Sequence, residues 1–403
     1  MRARAALVLA LGGAACGSPR AALQQNRAPP PAPTGSVDFA PVLNYLRSQV
    51  DSAFPGAVVA VSQGGRLVLL EAVGHYGIDD ARPVTTETVY DLASLTKVIG
   101  LTTACMMLVG EGKLDLDAPV QRYVPAFRGP GKERVTIRHL LTHSSGLPAW
   151  RPLYTEATTR ATALALVDTT PLAADAGRAA VYSDLGAIVL TQAVEAIAGE
   201  RIDQFLERRL FQPLGMSSTR YLPPPEWRDR IAPTERSQDG TIIRGTVHDE
   251  NAWKLGGVSG HAGLFSSAGD LARFASWLLA VRGGQGRTGT ENAGADRHGP
   301  PPTDTVRPEI VREFTRRQNV PPGSSRALGW DTPSENSSAG TKVGPQAFGH
   351  TGFTGTSIWL DPDRDVFIIL LTNRVHPTRE NSRIIRVRPR VADLVMDALT
   401  PRQ

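Results

Sequence analysis

The chain contains one long apolar segment that has to be covered on nearly every side. It runs from Val98 to Val109, directly after Ser94 and Lys97, and its apolar side chains are not confined to one face of a helical projection. That pattern predicts a buried central helix and not an amphipathic helix on the surface. The rest of the chain is therefore expected to be organised around this helix.

Ser94 and Lys97 open the predicted helix. Their spacing of three residues stacks the two side chains on one face, and burial at the positive end of the helix dipole is expected to lower the pKa of Lys97. A hydroxyl beside a lysine that can lose its proton is an activated nucleophile. A serine cap followed by a lysine that snorkels to the surface explains the same pair. None of the other four lysines follows a serine at this spacing, but the helix alone leaves both explanations open.

The composition indicates a globular protein with a large core. Of the 403 residues, 41% are hydrophobic and 21% are charged, which are ordinary values for a folded chain. This length allows one large domain or two lobes. The formal charge of +5 comes from scattered arginines, without a basic run interleaved with aromatic residues. We therefore expect no nucleic acid as a partner.

The first part of the chain is predicted to be a targeting segment and a tether. Residues 1–15 combine a positively charged start, a short apolar stretch and small residues, which is typical of a signal peptide. Cys16 follows directly and resembles a lipoprotein acylation site, although Gly13 stands where such signals usually have leucine. Residues 16–36 are predicted to be a Pro-rich linker. We expect an exported protein of the periplasm or cell envelope, with a membrane tether if Cys16 is lipidated.

The cysteine and histidine patterns indicate no metal site. Cys105 has no partner once Cys16 is lost or acylated, so no disulfide is expected, and Cys105 is predicted to be an inert buried thiol. His139 and His143 lack the glutamate of a zinc-enzyme motif and are predicted to be structural hydrogen-bonding residues. The polar run that starts at His248 is predicted to be a loop near a cleft. We expect no cofactor.

Predicted strands lie at both ends of the chain, with a long helical section between them. An antiparallel sheet built from both ends and flanked by helices gives an α/β (α+β) fold, in which residues 37–403 form a sheet lobe (about 37–110 and 321–403) and a mostly helical lobe (about 111–320). A cleft between the lobes is a natural ligand site. Residues 282–305 are a Gly/Pro-rich insertion. The predicted strands are 56–61, 66–70, 327–330, 347–350, 356–360 and 366–371, and the main predicted helices are 39–50, 161–167, 185–198, 269–279 and 391–399.

Two further short motifs accompany the Ser94 pair. Among the 7 tyrosines, only Tyr182 is followed two residues later by an asparagine or aspartate, here Asp184. Residues 350–352 (His-Thr-Gly) enter a predicted pair of strands near the C-terminus. A nearby ammonium favours the phenolate form of a tyrosine, so Tyr182 and Lys97 could both take part in proton transfer from Ser94. Together the three motifs favour a catalytic role for Ser94.

These motifs, in this order and at these wide spacings, resemble the serine β-lactamase and penicillin-recognising enzymes, on the class C β-lactamase and DD-peptidase branch. That family carries S-x-x-K, Y-x-N and K/H-T-G. Residues 136–148 (TIRHLLTHSSGLP) resemble another typical segment of the family, and residues 247–252 and 256–265 resemble the subgroup of 4B-type penicillin-binding proteins. The resemblance spans roughly residues 38–400 and implies a β-lactamase/DD-peptidase-like fold.

The resemblance implies an acyl-enzyme mechanism. Ser94 would attack a carbonyl and become acylated, and Lys97 and Tyr182 would share the proton transfer. The backbone N–H groups of Ser94 and Phe353 would form an oxyanion hole, which acts on charge that develops only in the transition state. Water would then release the acyl group.

The same resemblance implies a binding edge for the substrate. Thr351 and His350 would contact a substrate carboxylate, and Gly352 would leave room for the substrate to lie beside the strand. His350 replaces the lysine that is common in β-lactamases, and only a protonated histidine would supply the same charge.

Asp184 is a second departure, because the family usually has asparagine there. An ionised carboxylate accepts hydrogen bonds but donates none, so Asp184 would hold Lys97 and favour its charged form. Both departures lower the expected efficiency of β-lactam hydrolysis, but neither argues against acyl transfer.

We therefore expect an exported serine hydrolase that acts through a Ser94 acyl-enzyme on a D-Ala-D-Ala-like peptide or another small amide or ester. A class C-like β-lactamase or an esterase is the alternative among enzymes. A non-hydrolytic penicillin-binding sensor is the alternative from another class, and Asp184 leaves it open. The expected partner is a small-molecule or cell-wall peptide substrate, and the oligomeric state does not follow from the sequence.

Overall fold

The computed structural model describes residues 37–284 and 305–400. The predicted signal peptide, the Cys16 site and the linker lie outside these residues, as does most of the predicted 282–305 insertion. Within the two described ranges, no helix is both long and apolar enough to cross a membrane.

Strands from both ends of the chain form one antiparallel sheet. The strands of the described ranges are β1 (Gly56–Gln63), β2 (Arg66–Gly77), β3 (Asp80–Pro83), β4 (Val89–Asp91), β5 (Arg220–Tyr221), β6 (Leu264–Ser267), β7 (Phe348–Thr351), β8 (Ser357–Asp361) and β9 (Val366–Thr372). Six of them form a sheet of order β3-β2-β1-β9-β8-β7, and three form a small sheet of order β4-β6-β5. In the large sheet β1 pairs with β9, with Val59 opposite Leu370. The predicted α/β (α+β) fold with an antiparallel sheet is confirmed.

Helices cover both faces of the large sheet. The α-helices of the described ranges are α1 (Ala40–Gln49), α2 (Thr103–Gly110), α3 (Ile137–Leu141), α4 (Leu153–Glu156), α5 (Arg160–Thr169), α6 (Asp184–Ala198), α7 (Ile202–Leu206), α8 (Glu250–Lys254), α9 (Ala268–Arg282), α10 (Pro308–Thr315) and α11 (Ile384–Leu399). Val59 and Val61 of β1 pack in one core with α1 and α11, whereas Val58 and Ala60 face the larger core on the other side. Successive side chains of a strand point to opposite faces, so a strand covered on both sides is apolar at every position.

The buried helix that the sequence predicts is present, but it begins later than predicted. Leu95 and Thr96 are its first helical residues, Lys97–Thr102 are π-helical and α2 continues the helix, and every residue from Lys97 to Leu108 is buried. Ser94 lies in the turn before the helix, because β4 extends to Asp91. The Asp91 carboxylate accepts the Ala93 amide at 2.8 Å, and Ala93 has a φ of 46°. This local turn reverses the chain before the helix starts.

One predicted strand near the C-terminus is wrong, and the predicted C-terminal helix is present but begins earlier than predicted. Residues 327–330 form a turn and not a strand, since Gly329 has a φ of 80° and the bridge is made by the flanking residues Arg326 and Asp331. Helix α11 begins at Ile384, well before residue 391, with Pro389 inside it. A proline lacks the N–H of an internal helical position and is common at a helix start, which is why the sequence pattern places the start too late.

The structural roles predicted for Cys105 and His139 are confirmed. Cys105 is a buried free thiol in α2, and burial raises the pKa of this thiol, which makes it a poor nucleophile. His139 closes a capping box with Thr136 at the start of α3. Both side chains therefore stabilise the fold without entering the chemistry.

Candidate active site

The turn before the buried helix brings Ser94 and Lys97 into direct contact. Lys97 Nζ donates to Ser94 Oγ at 3.0 Å and to the backbone carbonyl of His261 at 2.9 Å, and it lies 2.7 Å from Asp184 Oδ1. Only 3% of the Lys97 side chain is exposed. The amine therefore points at the serine hydroxyl and not at the surface, which excludes the snorkelling explanation.

The predicted low pKa of Lys97 is wrong. Burial alone would lower this pKa, but the negative charge of the adjacent Asp184 outweighs burial, and the pKa is raised. An asparagine at position 184 would offer no such charge. Lys97 is thus an ammonium at neutral pH, and it has to lose a proton before it can act as a base.

The Tyr182 motif reaches the same point from the start of α6. Ser183 caps this helix by accepting the Gly186 amide at 3.1 Å, and the Ser183 amide donates to His143 Nδ1 at 3.1 Å. Burial lowers the pKa of His143 well below its usual value, so the neutral ring can accept this bond. The rings of His143 and Tyr182 also pack with centroids 4.5 Å apart. The structural role predicted for His143 is therefore to hold Tyr182 in place.

The Tyr182 hydroxyl lies beside both members of the Ser94 pair. Burial raises the pKa of this phenol, while the positive charge of the adjacent Lys97 acts in the opposite direction. Among the described residues the hydroxyl has no well-aligned hydrogen-bond partner. An unpaired buried hydroxyl is costly, and such a group in a native structure is typical of a reactive site.

Two backbone N–H groups are free to form the predicted oxyanion hole. Neither the Ser94 amide nor the Phe353 amide donates to an acceptor among the described residues, and both residues line the same cleft. Thr356 Oγ1 donates to the Leu92 carbonyl at 3.0 Å, which joins the turn of residues 352–356 to the turn before Ser94. The two donors thus come from two turns that are tied together.

Gly352 is needed for a reason beyond the predicted one. A Cβ at this position would lie 2.1 Å from Thr356 Oγ1 and 2.4 Å from the Leu92 carbonyl oxygen. The missing side chain therefore lets the two turns meet, and whether it also leaves room for a substrate stays a prediction. A larger residue would move the Phe353 amide away from Ser94.

His350 does not supply the positive charge that a lysine would provide. Burial, followed by the charges of Arg326 and Lys97, lowers the pKa of His350 well below its usual value, so the ring is neutral at pH 7. The Arg326 guanidinium carbon lies 5.2 Å from the Tyr182 ring centroid, and the Tyr182 and His350 rings are 5.8 Å apart. Arg326 is therefore the cation at this end of the cleft.

The cleft in front of Ser94 has a volume of about 530 Å³, and much of its lining is cationic. The cationic side chains come from three separate segments of the chain and belong to none of the sequence motifs, so those motifs did not identify them. The apolar part of the lining comes from Phe353 and the start of α11. The arginines that line the cleft are Arg326, Arg374, Arg379 and Arg388.

A serine that contacts a lysine beside a tyrosine, in a cleft with two free backbone N–H groups, defines a serine hydrolase that works through an acyl-enzyme. The family model described as Beta-lactamase matches residues 42–392. The chain belongs to this family.

Similar proteins include peptidases and β-lactamases. A protein from Salmonella schwarzengrund, provisionally named a D-alanyl-D-alanine carboxypeptidase, is 32% identical over 383 residues, covering 84% of this chain and 83% of the relative. A penicillin-binding protein homologue from Caulobacter crescentus has a TM-score of 0.69 at 19% identity, covering 91% of this chain and 99% of that one. A class C β-lactamase from Rhodobacter sphaeroides has a TM-score of 0.66 at 22% identity, covering 89% of this chain and 99% of that one. The two structures share the fold with this chain.

We expect Asp184→Asn to shift the pH dependence of acylation to lower pH. Asp184 raises the pKa of Lys97, and the deprotonated amine is the form predicted to act as the base, so removing the carboxylate should increase the amount of free amine at any given pH. The acidic limb of the rate profile should move down by about 1–2 pH units. Labelling rates with a fluorophosphonate from pH 5 to 10 would measure it. Asp175→Asn, at a side chain that is 72% exposed, is the control, and an unmoved limb in Asp184→Asn would contradict this role for Asp184.

Proposed function

We propose that this protein is a DD-peptidase-type serine hydrolase that cleaves a peptide ending in D-Ala-D-Ala or a similar small amide or ester. The observation that carries the proposal is Arg326, a permanent cation beside the neutral His350 and close to Tyr182. Its buried Nη1 forms a long ion pair with Asp331 Oδ2 at 3.6 Å and makes no hydrogen bond among the described residues. Arg326 lines the cleft with Ser94 and Tyr182, and a guanidinium placed there suits a substrate carboxylate. The name of the Salmonella relative agrees with this reaction.

The reaction is an acyl transfer in two steps. Ser94 Oγ attacks the scissile carbonyl to form the C–O bond of a tetrahedral oxyanion, and its proton passes to Tyr182 and Lys97. These groups then return a proton to the leaving amine, and the C–N bond breaks to leave the acyl-enzyme. The oxyanion is held by the amides of Ser94 and Phe353. Water then attacks the acyl-enzyme with the same groups acting in reverse, which frees the acid and restores Ser94.

A substrate panel on the purified chain tests the proposal. It compares a peptide ending in D-Ala-D-Ala, the same peptide with a C-terminal amide, nitrocefin and a p-nitrophenyl ester. The peptide with the free carboxylate should exceed its amide in kcat/KM by about tenfold to a hundredfold, since a charge-assisted hydrogen bond is lost in the amide. Turnover of nitrocefin or the ester without cleavage of the peptide would reject the peptidase assignment in favour of a β-lactamase or an esterase.

Replacing Arg326 with glutamine should reduce kcat/KM for the free-carboxylate peptide by about tenfold to a hundredfold. The same change should leave the C-terminal amide and the ester nearly unaffected, because neither carries the anion that Arg326 is proposed to bind. Steady-state kinetics on the three substrates measure this difference. Arg316→Gln, at a side chain that is 57% exposed, is the matched control. Equal losses on all three substrates would show that Arg326 supports the site without reading the carboxylate.

A penicillin-binding sensor that is acylated but turns over slowly is the second candidate. The Asp184 contact favours it, because the raised pKa of Lys97 leaves little free base for deacylation. A mass-spectrometric time course with penicillin separates the two candidates. A persistent adduct without peptide hydrolysis supports the sensor, and a transient adduct with peptide release supports the hydrolase.

We further propose that the chain is exported and anchored through Cys16. The support is the positively charged, apolar and small-residue pattern of residues 1–15. Cys16→Ser should move the protein from the membrane fraction to the soluble fraction and remove incorporation of an alkyne-tagged fatty acid. An unchanged distribution would reject the lipid anchor, and retention of residues 1–15 in the purified wild-type chain would reject export through this segment.

A further inference from the structure

The turn of residues 352–356 places the Phe353 amide in the cleft, and Arg388 closes this turn. Arg388 Nη2 donates to the Gly352 carbonyl at 2.6 Å and to the Thr356 carbonyl at 2.9 Å. One guanidinium from α11 therefore binds the carbonyls of both end residues of the turn. The turn cannot open or tilt without breaking one of these bonds.

The Gly352 carbonyl and the Phe353 N–H belong to the same peptide group. A cation that binds the carbonyl oxygen draws electron density toward that oxygen, which makes the N–H at the other end of the peptide more positive and a stronger donor. Arg388 binds the carbonyl of the peptide whose N–H belongs to Phe353, a residue that lines the cleft together with Ser94. The contact thus acts directly on a donor of the oxyanion hole.

In the part of the chain that the structure describes, no carboxylate forms an ion pair with Arg388. Burial, together with the nearby charge of Arg374, lowers the pKa of Arg388 to about 9, so the group is still charged at pH 7. Its buried Nε has no hydrogen-bond partner among the described residues. A neutral side chain could tie two carbonyls together at a smaller desolvation cost. A buried positive charge at Arg388 is therefore best explained by a role in stabilising negative charge that develops nearby during the reaction.

Arg374 provides a natural comparison, because it binds the neighbouring peptide group. Its Nε donates to the Phe353 carbonyl at 2.7 Å, and its Nη1 donates to the carbonyls of Arg379 and Asn381 at 2.8 and 2.9 Å. The N–H that shares a peptide with the Phe353 carbonyl belongs to Thr354 and not to the proposed oxyanion hole. Arg374 and Arg388 thus support the same turn but polarise different peptides.

We propose that Arg388 is a positioning residue of the oxyanion hole, which orients and polarises the Gly352–Phe353 peptide so that its N–H binds the developing oxyanion more strongly. The inference rests on the proposed acyl-enzyme function and adds a residue that acts through the Phe353 amide. Arg388 forms and breaks no covalent bond in the reaction, and it neither gives nor takes a proton in either step.

The test compares an aryl ester with its thionoester, in which sulfur replaces the carbonyl oxygen and accepts hydrogen bonds weakly. In Arg388→Gln, kcat for the ester should fall by about tenfold to a hundredfold with little change in KM. This loss is smaller than the loss caused by removing an oxyanion-hole donor altogether, because the Phe353 N–H is still present. The loss on the thionoester should be several times smaller, because its transition state gains little from the donor. Arg388→Lys keeps the charge but cannot bind both carbonyls in the same way, so its kcat for the ester should lie between those of wild type and Arg388→Gln.

Two controls separate polarisation from mere support of the turn. Arg374→Gln should lose equal factors on ester and thionoester, and Arg390→Gln, at an exposed position of the same helix, should behave as wild type. Circular dichroism and Tm establish whether each variant is folded. If Arg388→Gln does not fold, the ratio of the ester loss to the thionoester loss is measured in Arg388→Lys instead. Equal losses on the two substrates, or an ester rate within twofold of wild type, would overturn the inference. A wild-type protein that neither turns over the ester nor is labelled by a fluorophosphonate would instead refute the proposed function.

Discussion

The Ser94→Ala protein is expected to lose all covalent labelling by a fluorescent penicillin or a fluorophosphonate. Its hydrolysis of any accepted amide or ester should fall by about a thousandfold or more, which is the usual consequence of removing the nucleophile from a site that acts as a unit. Ser94 Oγ is the hydroxyl that Lys97 Nζ contacts at 3.0 Å, and the alanine leaves no atom to form the acyl bond. Gel fluorescence and intact-protein mass spectrometry measure the loss.

Ser382 offers a matched control for this variant, because it also lines the cleft but contacts neither Lys97 nor Tyr182. The Ser382→Ala protein should be labelled at the wild-type rate. Peptide mapping of the wild-type adduct should place the added mass on the segment that contains Ser94. A Ser94→Ala protein that is still labelled in the cleft would remove Ser94 from the mechanism.

The general plan of the fold could be predicted because it depends on local patterns. The continuous apolar runs of β1 and β9 and the all-round apolar segment after Lys97 each predict a buried element. The failures fall where one pattern fits two structures. The apolar residues from Ala327 to Trp330 are buried, as in a strand, but a short buried run cannot be assigned by its periodicity alone. A proline such as Pro389 usually marks a helix start, and here it lies inside α11.

The chemistry of the site was predictable only where motifs mark it. Ser94, Tyr182 and residues 350–352 carry short patterns whose order is informative, and the structure brings them to one cleft. Arg326 and Arg388 belong to no such motif. Arg326 lies next to the turn that was predicted to be a strand, and Arg388 lies in the part of α11 that was not predicted to be helical. Their proposed roles therefore follow from distances and, for Arg388, from burial beside another cation, Arg374, neither of which is visible in the sequence.

The pKa of Lys97 shows why a sum of opposing effects resists prediction from sequence. Burial favours the neutral amine, and a carboxylate 2.7 Å away favours the ammonium. Which of the two wins depends on that distance, and the distance depends on where α6 begins. Asp184 is the first residue of α6, so the cap at Ser183 fixes both the tyrosine and the carboxylate relative to Lys97. The substitution of aspartate for the usual asparagine thus changes the base itself and not only the substrate contact.

Replacing Lys97 with methionine should reduce acylation by about a hundredfold to ten-thousandfold, the range that a positioned general base contributes. In wild type the rate should rise with pH, because the raised pKa keeps Lys97 protonated at neutral pH and only the free base can accept the Ser94 proton. The methionine variant should lose this pH dependence together with the rate. Lys97→Arg should be as inactive, since arginine keeps its proton. Labelling rates from pH 5 to 10 test both statements, and a Lys97→Arg protein with the wild-type rate would exclude Lys97 as the base.

The double variant Lys97→Met with Asp184→Asn separates the catalytic effect from a structural one. Lys97→Met alone leaves Asp184 without its partner, which should cost about 1–3 kcal/mol of stability, and a slow rate could then be blamed on a loosened site. Removing both charges replaces a buried ion pair by neutral groups, a change that is often nearly neutral for stability. The double variant should therefore regain most of the lost Tm while its acylation stays at the level of Lys97→Met. If acylation returned together with Tm, Lys97 would be a structural partner of Asp184, and the proton of Ser94 would have to leave through Tyr182 alone.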